Sequence, residues 1–410
     1  MPRRDRRPFR APARVGTRTM VTMRQASMSS GNNWRVDMLD FVTSRIADLR
    51  QQLENVAISR RGETVIIVPG LGGSALRVGG QDLWLDVEAI REGLLVELAY
   101  DPMAPALKTA GAIDTIYLQL RLRLQLLGYD VVVHAYDWRR RIEDLGAELA
   151  ARIAIVGPGR PVHVVAHSMG GLVARAAAAL GAASSLSKLI LLGTPNGGTY
   201  AAAQGIRGTH WVLRALSVID SRNSASALAT GVFNTWPSVY QQLPREGEVD
   251  FFDPRGWPQQ GPQPRADLLR SSRWSRDGLV GDHVDTHSIV GHGWATVDGA
   301  KLGSRGFEYL QSDGGDGLVP ASLAALNGYP SYFVPSGHIM MPNYQDVVDA
   351  VESLLDRGEC DLPRVMPPVK RLASSSDEAP FPLLGRAGHD VTLADLYDAF
   401  SNAWARSCRA

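Results

Sequence analysis

Apolar runs without polar alternation recur along the chain, separated by segments whose apolar residues step by three and four. The runs predict strands buried on both faces and lie at 63–70, 131–138, 160–168 and 186–195. The intervening segments predict helices and lie at 112–130, 142–156 and 169–180. Such strands separated by helices indicate a mostly parallel, doubly wound α/β sheet.

This rhythm is lost between about residues 199 and 285, a stretch rich in Gly, Pro, Gln and Trp. Long irregular insertions within an enzyme domain are usually lids or binding loops, so we expect a lid or cap after the fourth core strand. Regularity returns with a strand at 286–293, a glycine-rich stretch, a strand at 331–335 and a helix at 344–356. We therefore expect one catalytic domain over residues 61–359.

The flanking segments differ in composition from this domain. We expect a disordered arginine-rich N-terminus at 1–32 and an amphipathic helix at 33–60. We expect a Pro/Ser-rich linker at 360–381 and a C-terminal amphipathic helix at 382–410. Either terminal helix docks on its own domain or binds a protein partner. Without a signal-peptide core or membrane span, a cytoplasmic location is predicted, with peripheral membrane contact left open.

Composition narrows the classes of function. The chain has 410 residues, 45% of them hydrophobic, and a formal net charge of +1, which gives no reason to expect a nucleic-acid partner. Its two cysteines, Cys360 and Cys408, predict neither a disulfide framework nor a cysteine metal site. We expect no metal and no cofactor.

The stretch VVAHSMGGL (164–172) carries the strongest chemical signal. A sharp strand-to-helix turn that exposes a nucleophilic serine requires small residues two positions before and after it. Ala166 and Gly170 occupy those positions around Ser168, with alanine in place of the usual glycine. The interpretation is a nucleophile elbow with Ser168 as the nucleophile and His167 as a filler beside it.

Acyl transfer also requires N–H donors for the negative oxygen that develops on the attacked carbonyl. In an elbow of this type one donor is the amide after the nucleophile, here Met169, and the other comes from a loop after an earlier strand. The loop VPGLGGS (68–74) has that position, with the amide of Leu71 as the candidate. An ordinary glycine turn is the alternative interpretation of this loop.

The base and its acid should follow the serine in the order Asp, then His. His338 comes directly after the last predicted strand, so it is the candidate base. The loop SDGGDGLVP (312–320) offers two acids, Asp316, directly before GLVP, and Asp313 as the alternative. Neither spacing nor loop chemistry excludes either of them.

Eight short motifs in order then resemble the lecithin:cholesterol acyltransferase family over residues 65 to about 355. They are VPGLGGSAL (68–76), LWLD (83–86), YDWR (136–139), AHSMGG (166–171), LGTPNGGT (192–199), PSVYQQLP (237–244), GDGLVP (315–320) and GHIMMPN (337–343). The resemblance implies an α/β-hydrolase fold, the triad Ser168, Asp316 and His338, a substrate contact by Trp84, and a lipid-binding cap. The chain departs from the family by reading GDGLV for GDGTV and by lacking the stapling cysteines, which indicates an intracellular bacterial member.

Three functions remain open on the sequence. The first is acyl transfer from lipid esters through an acyl-serine, as in a phospholipid O-acyltransferase or a phospholipase A. The second is hydrolysis of small soluble esters or amides. The third is a catalytically silent lipid-binding or interaction module. Whether water or a hydroxyl accepts the acyl group depends on how the lid excludes water.

Tryptophans cluster in or beside the predicted cap. Their rings could lie at a membrane interface or close a small cap core. They are Trp211, Trp236, Trp257, Trp274 and Trp294.

A second structural question concerns Asp137 and Arg139, which could pair with each other to fix the end of their strand.

Overall fold

The computed structural model describes residues 34–55, 57–105, 107–272 and 284–377. The chain divides into two units, residues 1–45 and 46–410. In the first unit residues 34–45 are described, and they are helical. The arginine-rich N-terminus, the predicted C-terminal helix, Trp274 and Cys408 all lie outside the described residues.

The strands and helices follow in chain order. The strands are β1 (Thr64–Val68), β2 (Ser74–Val78), β3 (Gln81–Trp84), β4 (Lys108–Ala112), β5 (Asp130–Val133), β6 (Val162–His167), β7 (Leu186–Leu192), β8 (Asp285–Gly291), β9 (Trp294–Leu302), β10 (Phe307–Gly315), β11 (Ser331–Val334) and β12 (Arg371–Ser376). The helices are α1 (Trp34–Asn55), α2 (Val87–Arg91), α3 (Asp114–Leu126), α4 (Ile142–Val156), α5 (Met169–Ala179), α6 (Tyr200–Ile206), α7 (Trp211–Ile219), α8 (Ala225–Gly231), α9 (Pro237–Tyr240), α10 (Ala266–Ser271), α11 (Ala321–Ala324) and α12 (Gln345–Arg357).

Six strands form the main sheet in the order β11-β8-β7-β6-β1-β5, and every neighbouring pair is parallel. All five residues of β1 are buried, because side chains on both of its faces enter a core. Ile66 and Val68 pack in one hydrophobic cluster with residues of α4 and α5. Val65 and Ile67 pack in another with residues of α3 and α12. Helices on both faces confirm the predicted doubly wound α/β sheet.

The predicted N-terminal helix ends at Asn55 rather than at residue 60. From residue 46 onward, its apolar stripe lies on the helix α3. Leu49 is buried against Leu118 and Leu122, with Ile46 and Leu53 at the edge of the same cluster. Of the two interpretations of this stripe, docking on the chain's own domain is the one that applies to residues 46–55.

Two small antiparallel sheets were not predicted. One has the order β3-β2-β4, and the other has the order β12-β10-β9. The strand β12 lies within residues 360–381, where a Pro/Ser-rich linker was expected. The linker interpretation is therefore wrong for residues 371–376. The strand was not predicted because a strand at a sheet edge pairs through its backbone and needs no apolar sequence.

Five short helices, α6 to α10, lie in the connection between β7 and β8, where the cap insertion was predicted. Two of its tryptophans are core residues. Trp236 is buried and donates its indole N–H to the Leu98 carbonyl at 2.7 Å, and Trp257 is buried and donates to the Phe251 carbonyl at 2.9 Å. The membrane-interface interpretation is therefore wrong for these two side chains. No helix in the described ranges combines the length and apolarity needed to cross a membrane.

A buried carboxylate, Asp377, links the β7–β8 connection to the antiparallel sheet β12-β10-β9. Its Oδ2 atom accepts from the Arg207 guanidinium at 2.9 Å, and both side chains are buried. Its Oδ1 atom accepts from the Tyr309 hydroxyl at 2.8 Å, while Oδ2 also accepts the Phe307 amide at 3.1 Å. One carboxylate thus joins residues of the β7–β8 connection to strand β10.

We expect Asp377→Ala to destabilise the fold by about 3–5 kcal/mol, because it leaves the Arg207 charge buried without its partner. Asp377→Asn, which keeps the acceptor oxygen, should cost less. The control is Asp267→Ala, which removes an exposed ion pair with Arg265 and should cost about 0–1 kcal/mol. Denaturant unfolding followed by fluorescence measures all three, and equal losses for Asp377→Ala and Asp267→Ala would contradict the assigned role.

His210 gives the fold a pH dependence. Burial, and next the charge of Arg214, lower its pKa to about 4, while its Nδ1 atom accepts from the Val212 amide at the start of α7. Between about pH 6.5 and pH 4 the unfolded chain protonates this ring while the folded chain keeps it neutral, so we expect stability to fall as the pH drops through this range.

We therefore expect His210→Asn, which keeps an acceptor for the helix start, to flatten this acid limb. Between pH 7 and pH 4.5 the wild type should lose about 2 kcal/mol more of its unfolding free energy than the variant does. Unfolding curves measured across this range provide the test. Parallel losses in the two proteins would show that His210 does not carry the effect.

Candidate active site

Ser168 lies at the turn between β6 and α5, with φ 55° and ψ −130°. It is the one non-glycine residue with positive φ in the described ranges. Such backbone geometry is costly for a residue with a Cβ atom and persists only where the surroundings enforce it. The sequence motif and the local backbone therefore agree on a strained strand-to-helix turn at Ser168.

The glycines after Ser168 allow this turn to pack closely on its neighbours. A Cβ atom on Gly170 would lie 2.4 Å from the Pro69 carbonyl oxygen, and one on Gly171 would lie 1.9 Å from Thr194 Oγ1. Ala166, two residues before the serine, is fully buried. Larger side chains at Gly170 or Gly171 would push α5 away from the end of β1 or from the loop after β7.

His338 follows β11, and its Nε2 atom lies 2.8 Å from Ser168 Oγ. Its backbone N–H donates to the Asp316 carbonyl at 2.9 Å. The opposite ring nitrogen, Nδ1, lies 2.7 Å from Asp316 Oδ2. The histidine is thus in contact with the serine on one side and the carboxylate on the other.

Asp316 is held by both carboxylate oxygens and is fully buried. While Oδ2 faces His338, Oδ1 accepts the amides of Leu318 and Val319 at 3.0 and 2.7 Å. The alternative acid, Asp313, instead accepts the Lys370 amide at 2.7 Å. Of the two acids in this loop, the structure brings Asp316 to His338.

The two oxyanion candidates lie next to the serine. Met169 is the first residue of α5, so its amide is one of the N–H groups that a helix leaves without an intrahelical acceptor. Gly70, directly before Leu71, contacts the serine closely, because a Cβ atom there would lie 2.8 Å from Ser168 Cβ. Both candidate amides therefore belong to backbone segments that flank Ser168.

Trp84 contacts the same loop. Its indole N–H donates to the Gly72 carbonyl at 2.7 Å, and its ring meets Trp138 edge-on at 5.6 Å. It is partly buried. Trp84 thus packs against the loop that contains Leu71. A substrate contact by its ring stays a prediction.

Asp137 and Arg139 form a buried pair at 2.7 Å. The same guanidinium donates to the Leu98 and Ala99 carbonyls at 3.3 and 3.1 Å. The structural interpretation of this pair is therefore correct, since these contacts fix the backbone after β5 and involve none of the triad residues.

Sequence reasoning missed Tyr117, whose hydroxyl lies 2.9 Å from Nδ1 of His167. Tyr117 belongs to α3 and to no recognisable motif, so its proximity to Ser168 could not be predicted from the sequence.

Within the described ranges, no group of three or more His, Cys, Asp or Glu side chains is arranged to hold a metal ion.

Six parallel strands covered on both faces, a strained serine between β6 and α5, and a histidine after β11 define an α/β-hydrolase fold. No family model matches the chain, and no curated protein matches it.

Several solved structures have a similar arrangement of the chain, at 12–17% identity and with TM-scores below 0.5. A structure described as the Tle4-Tli4 complex shares 14% identity over 71% of this chain and 97% of its own, with a TM-score of 0.46. Bacillus licheniformis lipase BlEst2 in mature form shares 14% identity over 74% of this chain and 95% of its own, with a TM-score of 0.38. The chain spans about half, 51%, of the propeptide form of that lipase, at 17% identity over 73% of this chain and a TM-score of 0.39.

The geometry predicts different outcomes for the two acids. Asp316→Asn should lower kcat by about 10³–10⁴-fold, because the amide no longer favours the His338 tautomer that accepts the serine proton. Asp313→Asn keeps an oxygen for the Lys370 amide and should leave kcat within about twofold. Steady-state kinetics on a nitrophenyl ester distinguishes them, and a large loss in Asp313→Asn alone would reassign the acid.

Proposed function

We propose that this protein cleaves acyl esters of lipids with Ser168 as nucleophile and passes the acyl group to water or to a lipid hydroxyl. The hydrogen-bonded line from Ser168 through His338 to Asp316 is the observation that supports this activity most directly. Serine, base and orienting acid within hydrogen-bond distance are what activation of a hydroxyl requires.

In the first step His338 Nε2 takes the Ser168 proton while Oγ attacks the ester carbonyl carbon. The amides of Met169 and Leu71 donate to the resulting oxyanion. Collapse of this intermediate breaks the bond to the leaving alcohol, which receives the proton from His338. The product is an acyl ester of Ser168, and Asp316 stabilises the imidazolium formed on the way.

In the second step the acceptor hydroxyl gives its proton to His338 and attacks the acyl-serine. Breakdown of the second oxyanion releases the new ester or, with water, the free acid, and His338 returns the proton to Ser168 Oγ. Hydrolase and transferase therefore share every group named above, and they differ in which hydroxyl reaches the acyl-enzyme.

The lipid class of the substrate rests on the resemblance to the lecithin:cholesterol acyltransferase family over the eight ordered motifs. The long connection between β7 and β8 has the position of that family's lipid-binding cap. Ser168 is 8% exposed, so a substrate must reach a serine that is almost covered.

Incubation with labelled phospholipid, with and without an acceptor alcohol, tests the activity. We expect the wild type to release labelled fatty acid, to form the acyl ester of the alcohol when it is present, and to react with a fluorophosphonate. Ser168→Ala should abolish all three, because no nucleophile remains.

Ser288→Ala is the matched control, since Ser288 is also buried and lies in β8 of the same sheet. It should label and turn over like the wild type. Equal turnover by Ser168→Ala and the wild type would overturn the enzymatic proposal. Hydrolysis of short nitrophenyl esters without turnover of phospholipid would keep the mechanism and replace the lipid by small soluble esters.

A further inference from the structure

A chain of buried hydrogen bonds runs beneath Ser168 and connects the two loops that flank it. The Gly70 amide donates to the Tyr117 hydroxyl at 2.9 Å. That hydroxyl lies 2.9 Å from His167 Nδ1, and His167 Nε2 lies 2.9 Å from the His338 carbonyl oxygen. All four residues are buried.

The chemistry of the end groups fixes the direction of every bond. The His338 carbonyl can only accept, so Nε2 of His167 carries the proton. A neutral imidazole then has an acceptor at Nδ1, to which the Tyr117 hydroxyl donates a hydrogen bond. The hydroxyl oxygen in turn accepts from Gly70. Burial, and next the nearby His338, lower the pKa of His167 to about 3, which keeps the ring neutral.

The two ends of this chain lie next to the groups assigned to the reaction. Gly70 is adjacent to Leu71, whose amide is the loop donor to the oxyanion, and the acceptor at the other end is the backbone of the base itself. The fit at the loop end is tight, because a Cβ atom on Gly73 would lie 2.7 Å from the Tyr117 hydroxyl. Tyr117 thus contacts the loop on two sides.

We infer that Tyr117 and His167 are positioning residues that hold the oxyanion loop and the His338 backbone in a fixed relation on either side of Ser168. The inference rests on the proposed function and goes beyond it, because neither residue touches the reacting atoms. His167 is therefore more than the filler that the sequence indicated.

Removing the hydroxyl tests one link without emptying the core. Tyr117→Phe keeps the ring that packs between the sheet and α3 but leaves the Gly70 amide and His167 Nδ1 without partners. We expect kcat for a nitrophenyl ester to fall by about 10–100-fold per active site, with KM changed by less than about threefold, because alignment in the transition state suffers more than substrate binding.

The matched control is Tyr332→Phe. Tyr332 is buried in the same hydrophobic cluster as Tyr117, and its hydroxyl accepts from the Arg364 guanidinium at 3.2 Å. The variant therefore loses a buried tyrosine hydroxyl that lies in β11, outside the β7–β8 connection, and takes no part in the hydrogen bonds of the triad. We expect Tm to fall in both variants and kcat per site to stay unchanged in Tyr332→Phe.

Sites are counted by the end point of fluorophosphonate labelling, so a purely structural loss lowers the number of sites and leaves kcat per site intact. That result in Tyr117→Phe, or an equal fall in kcat per site in Tyr332→Phe, would overturn the inference while the proposed function stands. Failure of the wild type to label would overturn both.

A double-mutant cycle with His167→Leu tests whether the two residues act through one chain. If they do, Tyr117→Phe combined with His167→Leu should lower kcat per site no further than the more severe single variant. Multiplication of the two single effects would show that they act independently and would contradict the inference.

Discussion

The close approach between the start of α5 and the end of β1 is the constraint on which the site depends. The Val68 and Pro69 carbonyl oxygens lie where a side chain on Gly170 would have to be. Since nothing larger than hydrogen fits, the chain turns sharply and Ser168 is forced into its positive φ. The same contact sets Gly70 against the serine, so the nucleophile and the candidate oxyanion loop are positioned by one packing interaction.

The parallel sheet brings together loops that are far apart in the sequence. The serine, the oxyanion loop and the histidine all follow the carboxyl ends of parallel strands, β6, β1 and β11, which meet at one edge of the sheet. The acid has a different origin. Asp316 follows β10, a strand of the separate antiparallel sheet, and reaches the edge through an isolated bridge between its own backbone and Trp294.

This difference explains what could be predicted from the sequence. Strands such as β1 and β6 are apolar on both faces and are bounded by helical periodicity, so both the sheet and the loops at its carboxyl edge were predictable. The strands β9, β10 and β12 mix polar and apolar residues, and β9 and β10 also contain glycines. Their sequences therefore resembled loop or linker. The elbow motif selected Ser168, order along the chain and loop position selected His338, and the family resemblance favoured Asp316 over Asp313. The structure brings these three residues together, while their catalytic roles stay a prediction. Tyr117 could not be selected, since its position in α3 resembles that of any core tyrosine.

The pairing of β12 with β10 bears on how the site is assembled during synthesis. Residues 64–192 can place Ser168 and the loop before it as soon as the first strands of the sheet have formed. The strand that carries Asp316 gains its outer neighbour only when residues 371–376 have left the ribosome, and Asp377 then joins it to the β7–β8 connection. Neither contact can form before its C-terminal segment has been synthesised. A nascent chain can therefore hold Ser168 in place well before Asp316, the proposed orienting acid, is secured.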